Sequence, residues 1–266
     1  MAREVRPGFH WIQECGTDLN VDLDGGVDPP DWYEPGCETH IGQSAYVLDD
    51  ERSLLFDTLS PANRDRIVAE LDGLLDDGLD YLVVSHPDVP HAGNAPAILD
   101  AYPEATLVAP RYGADHELYH LDEAEKVGAG DSIDLGRFTV DFHEATFPDA
   151  AMHVWMSERA TETLFPVDWF GFPHNDTECG LFVEEFERPL SVDRLTQFHG
   201  RVLFWLQYVD VAKTSAEIER VIERFDPEIV APAHGCVARE DAAEHMRRVK
   251  QVVERVSEQG RVGILG

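Results

Sequence analysis

The stretch YLVVSHPDVPHAG, residues 81–93, constrains the fold more than any other part of the chain. Tyr81 to Val84 is a short apolar run that ends at a polar turn, the pattern of a buried strand. The turn carries His86, Asp88 and His91, so the strand delivers imidazole and carboxylate groups to its tip. Pro90 stands among them where one more carboxylate would enlarge the set.

The neighbouring sequence supplies layers for such a strand. SAYVLDDERSLLFDT has two apolar runs around the polar turn Asp49 to Arg52, which reads as a hairpin. Ser60 and Pro61 then open a helix whose Ile67, Val68, Leu71, Leu74 and Leu75 recur at helical spacing. Beyond the His-bearing turn come a short helix at 95–101, the strand TLVAP at 106–110 and the alternating RFTVDFHEA. HVWM at 153–156 and TLFPVD at 163–168 read as two further strands of a meander. After Ser215, Ile218, Val221, Ile222 and Phe225 form a helix face, Asp226-Pro227 breaks it, and EIVAPAHG reads as a strand ending at His234. A last helix over 240–260 carries Met246, Val249, Val252, Val253 and Val256, with Gly260 as its stop. Strands alternating with helices predict an α/β layered sandwich. Residues 1–40 are expected to be an irregular N-terminal extension, with a Gly-, Asp- and Pro-rich loop over 14–38. No linker divides the chain, so 1–266 is expected to be a single domain.

Charge narrows the partners. There are 52 acidic against 21 basic residues, a formal charge of −31, and the only lysines are Lys126, Lys213 and Lys250. Nucleic acid and anionic membrane surfaces are drawn to basic patches, which this chain lacks, so neither is an expected partner. A hydrophobic content of 43% and periodic segments exclude a disordered acidic chain. The composition resembles that of salt-requiring halophilic proteins. Cys15, Cys37, Cys179 and Cys236 are scattered with no C-x-x-C pair, so no disulfide framework is expected. Neither a signal-peptide core nor an 18-residue apolar run occurs, and a cytoplasmic location is expected.

Three strand-end loops carry the chemistry: SHPDVPH at 85–91, FPVDWFG at 165–171 and APAHG at 231–235. Taken singly, His234 before a glycine reads as structural and Asp168 as a turn cap. Together, imidazole and carboxylate at three strand tips suit zinc, iron or manganese. His10, His40, His116, His120, His199 and His245 lie outside the pattern and read as surface residues, and Cys236 as a small buried apolar residue.

From about Ser44 to Ala238, through QSAYVL, LLFDT, the 81–99 block, GDSIDLG, EATFPDA, LFPVDWFG and APAHG, the chain resembles the metallo-β-lactamase fold. Within that superfamily it resembles the oxygen-binding di-iron domain of flavodiiron proteins. The resemblance implies an αββα four-layer sandwich. In the hydrolase branch the turn reads H-x-H-x-D-H; in the flavodiiron branch it reads H-x-E-x-D-H. The carboxylate at Asp88 points to the latter. Carried over residue by residue, the resemblance implies that His86 and Asp88 bind one metal, that His91 and His234 bind a second, and that Asp168 bridges them. Two family ligands have no match, for Pro90 replaces an aspartate and Thr146 a histidine. His143, His153 and His174 are the candidate substitutes.

The function implied is a non-haem iron protein, holding one or two ions, that binds, reduces or senses dioxygen or nitric oxide. Family members pair head to tail, which implies a homodimer. A flavodoxin domain is not read in this sequence, so no flavin is expected within the chain, and a reductase would take electrons from a separate donor protein. Two alternatives stand beside this. One is a zinc hydrolase acting on a small-molecule substrate, in which the metal lowers the pKa of its water. The other is a non-catalytic relative with a degraded site.

Overall fold

The computed structural model describes residues 2–16, 31–111, 124–149 and 152–260. In chain order the strands and helices are β1 (Arg3–Arg6), β2 (Phe9–Glu14), β3 (Thr39–His40), β4 (Gln43–Asp49), β5 (Ser53–Phe56), α1 (Arg64–Leu74), β6 (Tyr81–Val83), α2 (Val89–Ala92), α3 (Ala95–Ala101) and β7 (Thr106–Pro110). They continue with β8 (Glu125–Val127), β9 (Ser132–Asp134), β10 (Thr139–Glu144), β11 (Val154–Glu158), β12 (Thr163–Phe165), β13 (His174–Asn175), α4 (Val192–Val202), α5 (Val211–Phe225), β14 (Ile229–Val230) and α6 (Ala242–Gln259). No described helix is long and apolar enough to cross a membrane. The elements fall into two compact units: Met1–Glu14, Gln43–Ala145 and Ala150–Thr161 form the first, and Cys15–Gly42, Thr146–Asp149 and Glu162–Gly266 the second.

The first unit holds a sheet in the order β1-β2-β4-β5-β6-β7-β8. Its first four strands are antiparallel neighbours, and β4–β5 is the expected hairpin. From β5 onward the strands run parallel, with Leu55 opposite Leu82 and Leu82 opposite Leu107. Strands β9, β10 and β11 form a second antiparallel array. Ile67 and Leu71 of α1 and Ile98 of α3 pack with Val47, Leu55, Leu82 and Leu107 into one apolar cluster. Burying side chains of this kind contributes about 1.5–3 kcal/mol each. Residues 3–14, expected to be irregular, instead form β1 and β2, and Phe9, Trp11 and Ile12 are buried. The segment 17–30 of the expected loop lies outside the described residues.

In the second unit β12 and β14 are parallel, with Leu164 opposite Val230, and β3 pairs antiparallel with β13. The strand expected over EIVAPAHG is confined to Ile229–Val230. Pro232 has no N–H for a ladder, so the remainder runs as a loop. Helix α6 packs against both α4 and α5, and Leu195, Phe198, Ile218, Ile222, Val249 and Val253 of these helices are buried. Asp210 caps α5 by accepting from the Lys213 amide, and Asp226, in the left-handed region at φ 39°, ends it ahead of Pro227.

Candidate functional site

In each unit a parallel strand pair sets the candidate ligands. Parallel neighbours end at the same sheet edge, so the loops that follow them emerge side by side. In the first unit the loop after β5 begins with Asp57 and the loop after β6 carries Ser85 and His86. Asp57 adopts φ 63°, a left-handed conformation that Asp tolerates better than most residues. Its Oδ1 accepts from the Ser85 amide at 2.9 Å, and its Oδ2 accepts from the Ser85 hydroxyl at 3.0 Å. The same Oδ2 accepts from His91 Nδ1 at 2.7 Å, between two buried side chains.

These bonds fix both tautomers. A carboxylate oxygen accepts, so His91 carries its proton on Nδ1 and keeps Nε2 as the lone-pair nitrogen. Ser85 has one hydroxyl proton and gives it to Asp57, so its oxygen accepts from His86 Nδ1 at 3.1 Å. His86 therefore also keeps its lone pair on Nε2, the atom 3.8 Å from Asp88 Oδ2. The His86 and His91 ring centroids are 3.9 Å apart, and His153 stacks on His86 at 4.5 Å. Asp88 is the N-cap residue of α2, with a 60% exposed side chain. Pro90 falls in the first turn of α2, where its missing N–H costs no helical bond. Gly93 is required by close packing, because a Cβ there would meet Pro61 Cδ at 2.7 Å.

In the second unit the loops after β12 and β14 bring Asp168 and His234 together, with His234 Nε2 3.0 Å from Asp168 Oδ1. The Gly42 carbonyl accepts from His234 Nδ1 at 2.8 Å, so Nε2 faces the carboxylate as a lone pair unless a proton or metal cation lies between them. The loop around Asp168 is strained. Val167 is β-branched at φ 56° and Phe170 sits at φ 77°, conformations that cost about 1–3 kcal/mol each. The bond from the Ala233 amide to the Val167 carbonyl, 2.8 Å, holds this loop beside that of His234. Gly235 turns the chain away at φ 110°.

Each unit's donors suit a metal ion. In the first, His86 and His91 commit Nδ1 to an acceptor and keep Nε2 as a lone-pair donor, with Asp88 near His86; in the second, His234 commits Nδ1 to Gly42 and sets Nε2 beside Asp168. An imidazole held by a carboxylate through its other nitrogen is the usual support of a metal-binding histidine. Asp57 and Ser85 were not singled out in the sequence. The signal was LLFDT, where a polar residue ends an apolar strand parallel to the His-bearing one.

Of the three candidate substitutes, His153 lies against His86, whereas His143 Nε2 bonds Ser157 Oγ at 2.7 Å across β10 and β11. His174 lies in the second unit, fully buried, with its Nε2 3.6 Å from Cys179 Sγ. Desolvation, with His40 and Arg194 adding to it, holds His174 down to about 3. Two histidines read as surface residues are buried instead. His40 pairs with His174 across β3 and β13. His199 donates from Nδ1 to the Leu195 carbonyl at 2.8 Å and accepts the Phe170 amide on Nε2 at 3.2 Å. Burial keeps His199 down to about 4 despite the Leu195 bond. His116 and His120 lie outside the described residues. Cys236 is buried as expected, but Cys15 and Cys179 are joined in a disulfide.

A family profile described as the metallo-beta-lactamase superfamily matches residues 39–190, more than half of the chain. The chain belongs to this superfamily and has its α/β fold. Among its relatives is a nitric oxide reductase of Moorella thermoacetica, 29% identical over 89% of this chain and 57% of that protein. Among solved structures, the rubredoxin oxygen:oxidoreductase from Desulfovibrio gigas superposes with a TM-score of 0.73 at 22% identity, covering 97% of this chain and 62% of that one. The flavodiiron protein from Giardia intestinalis superposes with a TM-score of 0.70 at 17% identity, covering 97% and 59%. The chain thus spans about six-tenths of the length of these proteins.

Proposed function

We propose that this chain binds iron and binds or reduces dioxygen or nitric oxide. Its metal ligands are His86, Asp88 and His91 in the first unit and Asp168 and His234 in the second. The observation that supports this best is the Asp57 carboxylate, which holds the proton at His91 Nδ1 directly and that at His86 Nδ1 through Ser85. A degraded site has no use for buried polar groups that orient two imidazoles, and such groups are costly to bury without purpose. The names of the relatives, a nitric oxide reductase and a rubredoxin oxygen:oxidoreductase, point to the same chemistry. Bound iron supplies open coordination positions and electron transfer to a diatomic ligand. The chain's own residues keep three imidazoles in the ligating tautomer and provide two carboxylates, which favour a harder ion than thiolates would. Electrons come from a separate donor protein, and the protein works as a homodimer.

Elemental analysis after anaerobic purification at high salt tests the reading. One or two irons per chain, with a spectral change on adding nitric oxide, are expected. Stoichiometric zinc with esterase turnover would establish the hydrolase instead, and a metal-free protein the non-catalytic relative. The variant His91→Ala should lose metal, and unchanged metal content in it would refute the ligand assignment.

A further inference from the structure

A second group of metal-competent side chains lies wholly within the second unit. Cys15, Cys179 and His174 each offer a donor atom, and these atoms lie within 4.8 Å of one another. The two cysteines, 164 residues apart in sequence, form the disulfide. His174 on β13 is 0% exposed, its Nε2 faces Cys179 Sγ at 3.6 Å, and its Nδ1 has no hydrogen-bond partner among the described residues. The Nε2–Sγ approach is too long for a strong hydrogen bond, so the nitrogen that faces Cys179 is buried with a weak partner and has Cys15 close by.

We propose that Cys15, Cys179 and His174 form a redox-gated zinc site that holds one Zn2+ when the two cysteines are reduced and none when they are joined. Two thiolates, one imidazole and a water satisfy the tetrahedral preference of zinc. A dithiol reductant breaks the S–S bond, supplying two electrons and two protons and becoming a disulfide itself, and Zn2+ then displaces the two thiol protons to solvent. In the reverse direction a peroxide takes two electrons from the two thiolates. With two protons it leaves as two waters, while the S–S bond forms and Zn2+ departs. Thiolates favour zinc, whereas the imidazole and carboxylate groups also suit iron and manganese, so the two sets differ in donor chemistry.

The test uses the full chain, reduced anaerobically with a trialkylphosphine and titrated with Co2+ as a spectroscopic probe. Thiolate-to-cobalt charge transfer is expected at one equivalent, a signature that imidazole and carboxylate ligands do not give. Failure of the iron reading would leave it unchanged. The oxidised protein should lack the band. Cys179→Ser should abolish it, and His174→Gln should weaken cobalt binding at least about tenfold. No band in the reduced wild-type protein, or a band surviving in Cys179→Ser, overturns the proposal. If the variants fail to fold, alkylation of the reduced wild-type chain decides. Zn2+ should protect Cys15 and Cys179 from iodoacetamide, read by peptide mass, and equal labelling with and without zinc overturns it.

Discussion

His91 gives its Nδ1 proton to Asp57 over 2.7 Å, and both side chains are buried to within 2%. The carboxylate that does this also takes the Ser85 amide and hydroxyl, so one side chain governs two histidines. Asp57→Asn keeps the shape but puts an N–H donor where an acceptor is needed. Metal affinity should fall by about 10–100-fold, the usual cost of losing a group that supports a metal-binding imidazole. Competition against a chelator of known affinity reads this, and an unchanged affinity would remove Asp57 from the site.

His199 makes stability depend on pH. Its folded pKa is held down to about 4 by burial, below an unfolded value near 6.5. Above pH about 6.5 both states are neutral and the contribution is complete. As pH falls from there toward 4, the unfolded chain takes up a proton that the folded chain refuses. Stability then drops by about 3 kcal/mol, and this loss ends once the folded state protonates too. Protonation at Nε2 would break the bond from the Phe170 amide, which is the structural face of the same effect. Urea denaturation at several pH values should show the loss in the wild-type protein and a shallower one in His199→Gln. Parallel curves would refute it.

Arg194 is fully buried on α4 and bonds Glu178 at 3.0–3.1 Å, with its guanidinium over the Trp32 and Phe186 rings at 5.2 Å. Arg194→Met leaves the Glu178 carboxylate buried without its cation, which should cost about 3–5 kcal/mol. A denaturant midpoint measures it. Adding Glu178→Gln to the same chain should recover part of the loss, and a midpoint that fell further would contradict the pairing.

The net charge of −31 makes the folded state a repulsive assembly in dilute salt. The Debye length shortens from about 10 Å at 0.1 M to about 3 Å at 1 M, which screens that repulsion. We expect the melting temperature followed by circular dichroism to climb steeply with KCl over this range. A melting temperature indifferent to KCl would exclude a salt requirement.

The sequence made the strand-and-turn logic of the first unit readable because the apolar runs there are unbroken and bounded by polar turns. TLVAP and the helix at 95–101 match β7 and α3 to the residue. Asp57 was hidden because only the parallel register of β5 and β6 shows which groups meet at the strand ends. Helix α4 carries Leu195 and Phe198 three positions apart, and His199, four positions from Leu195, shares that buried face. That spacing was the available clue against reading His199 as a surface residue. Arg194 gave no clue, since a buried arginine depends on a partner sixteen residues away in Glu178. The disulfide was illegible for the same reason on a larger scale, because pairing across 164 residues is a property of the folded chain.

The parallel pairs β5/β6 and β12/β14 have a consequence for how the protein comes to hold metal. A parallel pair cannot be closed by a tight turn; the chain must travel through a helix and return before the second strand can dock. Asp57 and Ser85, which meet at 2.9 Å, are 28 residues apart, and Asp168 and His234 are separated by two whole helices. Such pairings form late, because the entropy of closing the loop is lost before any contact rewards it. An unfolded or half-folded chain therefore keeps only the local cluster of His86, Asp88 and His91, without Asp57 to orient its imidazoles, while Asp168 and His234 stay apart. Metal uptake becomes a timer for the completion of each unit, and a chelator should slow no step that precedes it.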